Sequence, residues 1–222
     1  MSKDQKFYCL GSGWISALGN GTYGSNLQFS NEDGDFVYPE LQEYIQELPP
    51  RFGRFDEYTK VSFATAVLAL KDAGLLQREG KKNVGIIIGS SSSVYDDDMA
   101  YFESTREAKG SFTSPNLFSY TLPNVALGEI AVYFGFIGPT FCVGNDPVNP
   151  GSEVMPAALS LLASEQCEML LVGWVETSHK IGNHAIFSKG AAFAVLTLTK
   201  TSEIKGEFSF NQNFRFIELF KG

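Results

Sequence analysis

Five short apolar runs divide the sequence and alternate with longer segments of mixed polarity. The runs cover residues 6–10, 83–89, 139–144, 168–173 and 190–198. Continuous apolar runs of this length predict strands that are buried on both faces, which is typical of parallel sheets. Because helical segments lie between several of the runs, the pattern predicts an α/β fold with a five-stranded, mostly parallel mixed sheet and helices on both faces.

Three of the intervening segments repeat apolar residues at the spacing of a helix. Residues 58–70 predict an amphipathic helix that ends near Gly74, and residues 125–134 predict a buried helix that ends at Gly135. The third segment, residues 152–165, has almost no polar face, and its apolar residues are Val154, Met155, Ala157, Ala158, Leu159, Leu161, Leu162 and Ala163. A helix that is apolar all round is expected to be covered on all sides. Since a sheet covers only one side, we predict that another part of the folded assembly covers the other.

Glycines and phenylalanines add local predictions near the two ends of the chain. The first strand is expected to run into a turn at Gly11, Ser12 and Gly13, because glycine permits backbone conformations that strain other residues. Near the other end, alternate positions are aromatic, which predicts a half-buried strand or hairpin at Phe208, Phe210, Phe214 and Phe216. No repeat or linker divides the chain. We therefore predict one domain over residues 1–205 and a C-terminal strand or lid segment over residues 206–222.

Composition and charge narrow the classes of function. The 222 residues are 44% hydrophobic, and no run approaches the roughly 18 to 20 apolar residues that a membrane span needs. The first residues lack a signal-peptide core, so the cytoplasm is the expected compartment. A net charge of -8 argues against nucleic acid as a partner. The same charge would repel an acidic carrier protein unless a local basic patch exists.

Motifs for cofactors and metals are weak, and we predict neither a cofactor nor a metal. A dinucleotide fingerprint at Gly11 and Gly13 would need a third glycine where Ser16 stands. The cysteines lie far apart in apolar contexts, which indicates buried free thiols at Cys9, Cys142 and Cys167. A helix cannot direct three consecutive carboxylates at one ion, so the acidic run predicts a solvated helix start at Asp96, Asp97 and Asp98.

A serine run and two histidines leave one catalytic alternative open. Residues 90–93 are all serine and follow a predicted parallel strand, where ligands tend to bind, although serine is also an ordinary loop residue. His179 and His184 lie in one polar segment. A serine and histidine pair remains an alternative, but no spacing distinguishes it.

Several segments together resemble the N-terminal half of β-ketoacyl synthases, the condensing enzymes of fatty-acid and polyketide synthesis in the thiolase-like superfamily. The segments are YCLGSGWISALGNG, RFDEYTKVSFATAVLALKDAGL, NVGIIIGSSSS, SPNLFSYTLPNVALGEIAVYFGFIGPT, CEMLLVGWVE and SKGAAFAVLTL. The resemblance implies a thiolase-like fold, in which two similar α/β halves pack together and a helix from each half lies between the two sheets. Such an arrangement would explain why the helix over residues 152–165 has no polar face.

The sequence departs from this family at the position of the reactive cysteine. In the family that cysteine lies between the strand after Gly-Pro and the helix between the sheets. The alignment places Asp146, Pro147 and Val148 over that turn, so no thiol is present there and we predict no catalytic residue. Cys142 lies too early, within the strand. The family's two catalytic histidines belong to its second half, and His179 and His184 do not match them.

The resemblance therefore implies a non-catalytic, ketosynthase-like subunit comparable to a chain-length factor, in fatty-acid or polyketide synthesis of the polyene type. Synthases of this family dimerise through the strand after Gly-Pro. This predicts a homodimer, or a heterodimer with a ketosynthase, with an interface at Thr140, Phe141, Cys142, Val143, Gly144 and Asn145. An acyl carrier protein is a further predicted partner.

Two alternatives stay open. The chain could be a module that binds an acyl chain or acyl thioester without turning it over, in a pocket lined by Phe118, Tyr120, Leu122 and Phe134. Aromatic residues of this kind also serve as ordinary core, so the sequence alone does not separate the two. The other alternative is an acyltransferase or hydrolase that uses a hydroxyl of the serine run with His179 or His184.

Overall fold

The computed structural model describes residues 5–25, 34–106, 113–144, 146, 149, 151–178, 180–181, 184–185, 189–211 and 214–221. The strands are β1 Gln5–Ser16, β2 Gly19–Thr22, β3 Val84–Ser90, β4 Thr140–Gly144, β5 Met169–Glu176, β6 Lys180–Ile181, β7 His184–Ala185, β8 Gly190–Thr197 and β9 Gly206–Phe210. The α-helices are α1 Glu57–Asp72, α2 Tyr95–Arg106, α3 Pro115–Ser119, α4 Asn124–Phe134 and α5 Val154–Ala163. Short 3-10 helices lie at Leu41–Glu43, Phe52–Arg54 and Phe216–Phe220. No helix in these ranges is both long enough and apolar enough to cross a membrane.

One mixed sheet contains all five predicted strands. Its order is β2-β1-β8-β5-β3-β4, and β9 also pairs with β1, which makes seven strands. β3 is parallel to β4 and β5, whereas β8 is antiparallel to β5 and β1. Four of the five predicted strands, β1, β3, β4 and β5, therefore run in the same direction. The predicted fold class is confirmed. β2, which the prediction omitted, pairs antiparallel to β1, and so does β9, which lies in the predicted C-terminal strand or lid segment.

The predicted turn at Gly11, Ser12 and Gly13 is wrong, because these residues continue β1 to Ser16. The glycines serve a different purpose, which is the close approach of α1 to the strand. A Cβ atom added to Gly11 would lie 2.3 Å from the backbone nitrogen of Ala73, and one added to Gly13 would lie 2.5 Å from Cβ of Leu68. Gly11 and Gly13, which suggested a turn in the sequence, are thus needed because they have no side chain where α1 packs against β1.

Helices cover both faces of the sheet, as predicted. On one face, α1 and α4 form a core with the aromatic rings of Phe55, Phe63 and Phe134 and with the inward side of β3. On the other face, α5 packs with Phe7, Trp14 and Trp174. We refer to these as the α1 face and the α5 face.

The two apolar helices differ in how far they are covered. In α1, every residue from Tyr58 to Leu70 except Lys60 is buried. In α5, the buried residues are Val154, Met155, Ala158, Leu159 and Leu162, whereas Pro156, Ser160 and Ala163 are exposed. The expected cover on all sides of α5 is therefore absent from the described part of this chain, since the sheet reaches only one side of that helix.

The C-terminal segment packs on the α5 face. Phe208 and Phe210 of β9 are half-buried and alternate with exposed residues, as the predicted strand required. The following 3-10 helix buries Phe216, Leu219 and Phe220 in the core of the α5 face. Gly151, just before α5, has a positive φ of 77°, and a Cβ atom there would lie 2.3 Å from the Phe216 ring. This segment thus covers the start of α5 but leaves the outer side of that helix exposed.

Candidate functional site

The turn between β4 and α5 carries the residues that the sequence analysis predicted to align with the nucleophile position of β-ketoacyl synthases. Asp146 and Asn149 are described, whereas Asn145, Pro147 and Val148 lie outside the described residues. The Asn149 side-chain amide donates to Asp146 Oδ2 at 2.9 Å, and the Asn149 backbone N–H donates to the Asp146 carbonyl oxygen at 3.2 Å. Ser152 N–H in turn donates to the Asn149 carbonyl oxygen at 3.1 Å. The polar groups of this turn are thus engaged with one another ahead of α5.

All three cysteines are free thiols, as predicted. Cys142 lies in the middle of β4 and points toward the α1 face, where it meets the Tyr58 hydroxyl. Burial raises the pKa of Cys142 to about 11, although the contact with Tyr58 acts in the opposite direction. Burial also raises the pKa of Cys9 to about 12, and it raises that of Cys167. Because the thiolate is the nucleophilic form, all three residues are poor nucleophiles at neutral pH.

The serine run lies at the carboxyl end of β3 and surrounds the buried carboxylate of Glu176, the last residue of β5. Ser92 Oγ donates to Glu176 Oε2 at 2.6 Å, and Ser92 N–H donates to the same oxygen at 2.9 Å. Ser90 Oγ donates to Oε2 at 3.3 Å, and Ser91 N–H donates to Oε1. Four donors thus compensate the burial of one carboxylate.

This arrangement gives the serines a structural role. Ser90 Oγ also accepts a hydrogen bond from Ser93 N–H at 2.7 Å, and Ser93 has a positive φ of 53°. The hydroxyls of Ser90 and Ser92 therefore make hydrogen bonds that stabilise the turn. His179 lies outside the described residues, and for His184 only the backbone, in β7, is described. The structure thus does not locate the base that the serine alternative requires.

The four residues predicted for an acyl pocket are placed in different environments. Phe118 and Leu122 are 56% and 58% exposed. Phe134 is fully buried beneath α1 and stacks on Phe63, with 6.0 Å between the ring centroids. Tyr120 is buried and packs edge-on against Phe55. This chain alone does not bring the four side chains to one cavity.

The predicted interface strand, β4, lies at one edge of the sheet, where β3 is its neighbour among the described strands. Thr140 and Gly144 are exposed, and Phe141, Cys142 and Val143 are half-buried. Exposed apolar side chains flank this edge. Val132 on α4 is 83% exposed, and Ile137 between α4 and β4 is 60% exposed. We call the strand and these two residues the β4 edge surface.

A basic cleft lies beside α3. It encloses about 280 Å³ and is lined by Arg51, Arg54, Pro115, Asn116, Ser119 and Tyr120. Arg51 pairs with Glu129 of α4 at 2.6 Å, and Arg54 is exposed. Glu129 thus offsets the charge of Arg51, and Arg54 is the main source of positive charge at this cleft, on a chain of net charge -8.

The acidic run of residues 96–98 starts α2, as the sequence predicted. Within the described ranges, no group of three or more histidine, cysteine or acidic side chains is arranged to hold a metal ion.

Two features of this region were not anticipated from the sequence. The contact between Glu176 and the serine run could have been expected, because both follow buried strands and so meet at one edge of the sheet. The basic cleft could not have been expected from the sequence, because Arg51 and Tyr120 are distant in sequence and only the packing of α3 brings them together.

Comparison with protein families gives a match to the β-ketoacyl synthase N-terminal domain over residues 28–203. The chain belongs to this family. The resemblance seen in the sequence is thereby confirmed, and the mixed sheet with helices on both faces is the fold of this synthase family's structural relatives.

Solved structures agree on the fold. The synthase-family chain matches "The ishigamide ketosynthase/chain length factor" with a TM-score of 0.62 and 16% identity, over 86% of this chain and 62% of that one. It matches a type II polyketide synthase acyl-carrier protein in complex with its ketosynthase bound to the hexaketide (AntDE:AntF) with a TM-score of 0.56 and 20% identity, over 87% of this chain and 63% of that one. A β-ketoacyl synthase from Burkholderia phymatum STM815 gives a TM-score of 0.58 at 16% identity, over 87% and 59% of the two chains.

The chain thus spans less than two thirds of the length of each of these structures. No curated protein gives a significant sequence match.

Proposed function

We propose that this chain is a non-catalytic ketosynthase-like subunit that pairs with an active ketosynthase, in the manner of a chain-length factor, during polyketide or fatty-acid synthesis. The observation that carries the proposal is the turn between β4 and α5. Asp146, Pro147 and Val148 stand where the family has its reactive cysteine, and none of them carries a thiol. The structural relatives support a pairing with a ketosynthase, since one of them is itself described as a ketosynthase/chain length factor.

Electrostatics at this turn also oppose a thiolate. In the family, the positive end of the helix dipole at the start of the following helix favours the ionised cysteine. Here the Asp146 carboxylate sits in the turn and pairs with Asn149. Cys142, within β4, is held protonated at neutral pH by its burial. The chain therefore offers no activated thiol near the start of α5.

The β4 edge surface supports a partner. An edge strand has backbone N–H and C=O groups that a second strand can pair with. β4 carries no charged residue, and Val132 and Ile137 extend its apolar surface onto the adjoining helix and loop. We propose that the partner's strand pairs with Thr140, Phe141, Cys142, Val143, Gly144 and Asn145. A ketosynthase would form a heterodimer here, and a second copy of this chain would form a homodimer.

The basic cleft supports an acyl carrier protein as a further partner. The acidic chain would repel an acidic carrier in general, but the exposed Arg54, with Arg51 beside its partner Glu129, supplies local positive charge for such docking. One relative is itself a ketosynthase in complex with its acyl-carrier protein. We propose that a carrier bound to the assembly contacts this chain at the cleft. The cytoplasm remains the predicted compartment.

Isolation from the source cells tests the heterodimer. An affinity-tagged chain should retain a full-length ketosynthase, identified by mass spectrometry. The double variant Val132→Arg/Ile137→Arg should reduce the recovered ketosynthase by about tenfold or more, because it places charges in an apolar interface. The matched control is Leu18→Arg, which changes an exposed apolar residue on the β1–β2 turn and should leave the recovery unchanged.

An assay of the purified chain tests the absence of catalysis. With malonyl and acyl thioesters of an acyl-carrier protein, the chain alone should form no carbon-carbon bond, whereas the copurified complex should. Product formed by the chain alone would overturn the proposal. So would a wild-type chain that retains no ketosynthase, or retention that survives the double variant.

The two alternative functions have less support in the geometry. A self-contained acyl-binding module would need Phe118, Tyr120, Leu122 and Phe134 to line one pocket, whereas Phe118 and Leu122 are exposed and Phe134 is fully buried. A serine acyltransferase or hydrolase would need a free serine hydroxyl beside a base, and the hydroxyls of Ser90 and Ser92 are bound to Glu176. Labelling with a serine-reactive phosphonate checks the second alternative, and we expect no adduct.

A further inference from the structure

The two arginines of the basic cleft lie one helical turn apart. Arg54 is the last residue of a 3-10 helix, and its backbone N–H donates to the carbonyl oxygen of Arg51 at 2.8 Å. At this spacing the two side chains lie on the same side of the turn, and both line the cleft. Phe52, between them, packs on the core, with its ring centroid 5.4 Å from that of Phe55 and 5.8 Å from that of Phe63. The backbone that carries the arginines is therefore held in place.

The other lining residues come from α3 and the residue after it. Asn116 and Ser119 are exposed polar residues, and Ser119 Oγ donates to the Pro115 carbonyl oxygen at 3.0 Å. None of the described lining residues is acidic. The cleft thus combines two guanidinium groups with neutral polar groups, which is a set of partners that suits a carboxylate.

Among the described residues, one of the two arginines has an ionic partner and the other has none. Arg51 Nη2 lies 2.6 Å from Glu129 Oε1, whereas Arg54 makes no ion pair. The Glu129 side chain is 11% exposed and the Arg51 side chain is 66% exposed. The carboxylate is therefore largely enclosed by its surroundings on α4, and the guanidinium is the member of the pair that has room to turn.

We propose that Glu129 masks Arg51, and that an acidic partner docks by placing a carboxylate in the cleft, which draws Arg51 away from Glu129 and toward Arg54. For the identity of the partner, the acidic carrier protein, the inference rests on the proposed function. It adds a role for Glu129, which competes with the partner from within the chain. Anions that do not displace Glu129 meet the charge of Arg54 alone.

The size of the effect follows from the strength of the ion pair. Ion pairs between groups with this exposure favour the paired form by up to about fivefold. When the binding-competent form of a site is only partly populated, its apparent affinity falls by the same fraction. Glu129 should therefore weaken the binding of a carboxylate by about fivefold at low ionic strength, and added salt should reduce the difference because it screens the pair.

Citrate, a small carboxylate, tests the mask without a partner protein. In the purified chain, citrate should shift the amide NMR signals of Arg51, Arg54 and Ser119, and Arg54→Ala should abolish the response. Glu129→Gln should lower the Kd for citrate about fivefold, because glutamine keeps the size of the side chain but forms no ion pair. The matched control is Glu47→Gln, which removes an exposed carboxylate that makes no ion pair among the described residues, and it should change the Kd less than about twofold.

The Arg51→Ala background separates the mask from simple charge repulsion. Repulsion between Glu129 and citrate acts through space, so it would give the same gain whether or not Arg51 is present. With the mask, Glu129→Gln should change the Kd less than about twofold once Arg51 is removed. The proposal would be overturned by an equal gain in the two backgrounds, by no gain with Arg51 present, or by a wild-type chain whose Arg54 signal does not respond to citrate.

The acyl-carrier protein of the source cells tests the partner separately. Its affinity for the copurified complex should rise about fivefold with Glu129→Gln and fall with Arg54→Ala. If both variants changed citrate binding as expected and left carrier binding unchanged, the mask would stand, and the docking of the carrier at this cleft would be wrong.

Discussion

Helices α1 and α5 lie on opposite faces of one sheet, and both have strongly apolar sequences, yet the chain covers them to different extents. α1 is buried along its length because the sheet lies on one side and α4, with the segment around Phe55, lies on the other. α5 has the sheet on one side and only the C-terminal 3-10 helix near its start. Its outer side, at Pro156, Ser160 and Ala163, is exposed.

Apolar residues therefore have different roles on the α1 face and on the outer side of α5. On the α1 face, apolar residues build the stability of this chain, and polar residues such as Ser62 and Thr65 are tolerated there in full burial. On the outer side of α5, small and apolar residues contribute little to this chain's own core. In the thiolase-like fold that the family implies, the corresponding helix lies between two sheets.

The largest expected effect is on the α1 face. Phe63 is fully buried and lies against the rings of Tyr133 and Phe134, at centroid distances of 5.2 and 6.0 Å. Phe63→Ala should lower the free energy of unfolding by about 4 kcal/mol, because it leaves a cavity in close-packed core. Urea unfolding followed by circular dichroism measures the change. Phe118→Ala, at an exposed ring, is the matched control and should lower the free energy of unfolding by less than about 1 kcal/mol. Equal losses for the two variants would contradict the distinction between core and surface rings.

A comparison within α5 has the next largest effect. Leu159→Ala should cost about 3 kcal/mol, since Leu159 is fully buried against the sheet. Leu161→Ala, on the half-buried outer side, should cost about 1 kcal/mol or less. The same unfolding experiment measures both. If the two costs were equal and independent of protein concentration, the outer side of α5 would be covered within the chain, and the contrast with α1 would be wrong.

The thiols give the smallest but most local test of the two faces. Cys142 packs toward the α1 face and Cys9 toward the α5 face. Because the pKa of Cys142 is raised from 9 to about 11, its alkylation by iodoacetamide near pH 8 should be roughly 100-fold slower than that of the same residue in the unfolded chain. The rate should rise with pH up to about 11, and Cys9 should react more slowly still. Mass spectrometry of the alkylated peptides measures the rates, and rapid labelling of Cys142 at pH 7 would contradict its assigned burial.

Five strands of the sheet were predictable because each contains a short apolar run of the kind that a sheet buried on both faces requires. β2, with the sequence GNGT, carries no such signal. The stop signals at Gly74 and Gly135 were also read correctly, since both glycines adopt the left-handed conformation after their helices. Gly11 and Gly13 show the limit of the same reasoning. Glycine signals either backbone freedom or lack of a side chain, and only the position of α1 shows that the second property is used here.

The candidate site was predictable in part. The absence of a thiol between β4 and α5 is readable from Asp146, Pro147 and Val148 once the flanking strand and helix are identified. The hydrogen bonds of the serine run to Glu176 could have been expected from the shared edge of the sheet, although they were not predicted. The cleft that brings Arg51 to Tyr120 was not readable. Its residues are far apart in sequence, and no local pattern reports which turns of a folded chain meet.

The sequence by itself determined the five apolar strands of the sheet, the main helices that cover it and the absence of cysteine from residues 145–153, because these follow from short-range periodicity and from residue identity. Only the tertiary structure decided which helix is covered on all sides and which apolar residues stay exposed. The physical reason is that burial depends on how many layers the chain supplies. On one face of the sheet, α1 lies between the sheet and α4. On the other face, α5 has the sheet on its inner side and solvent on its outer side.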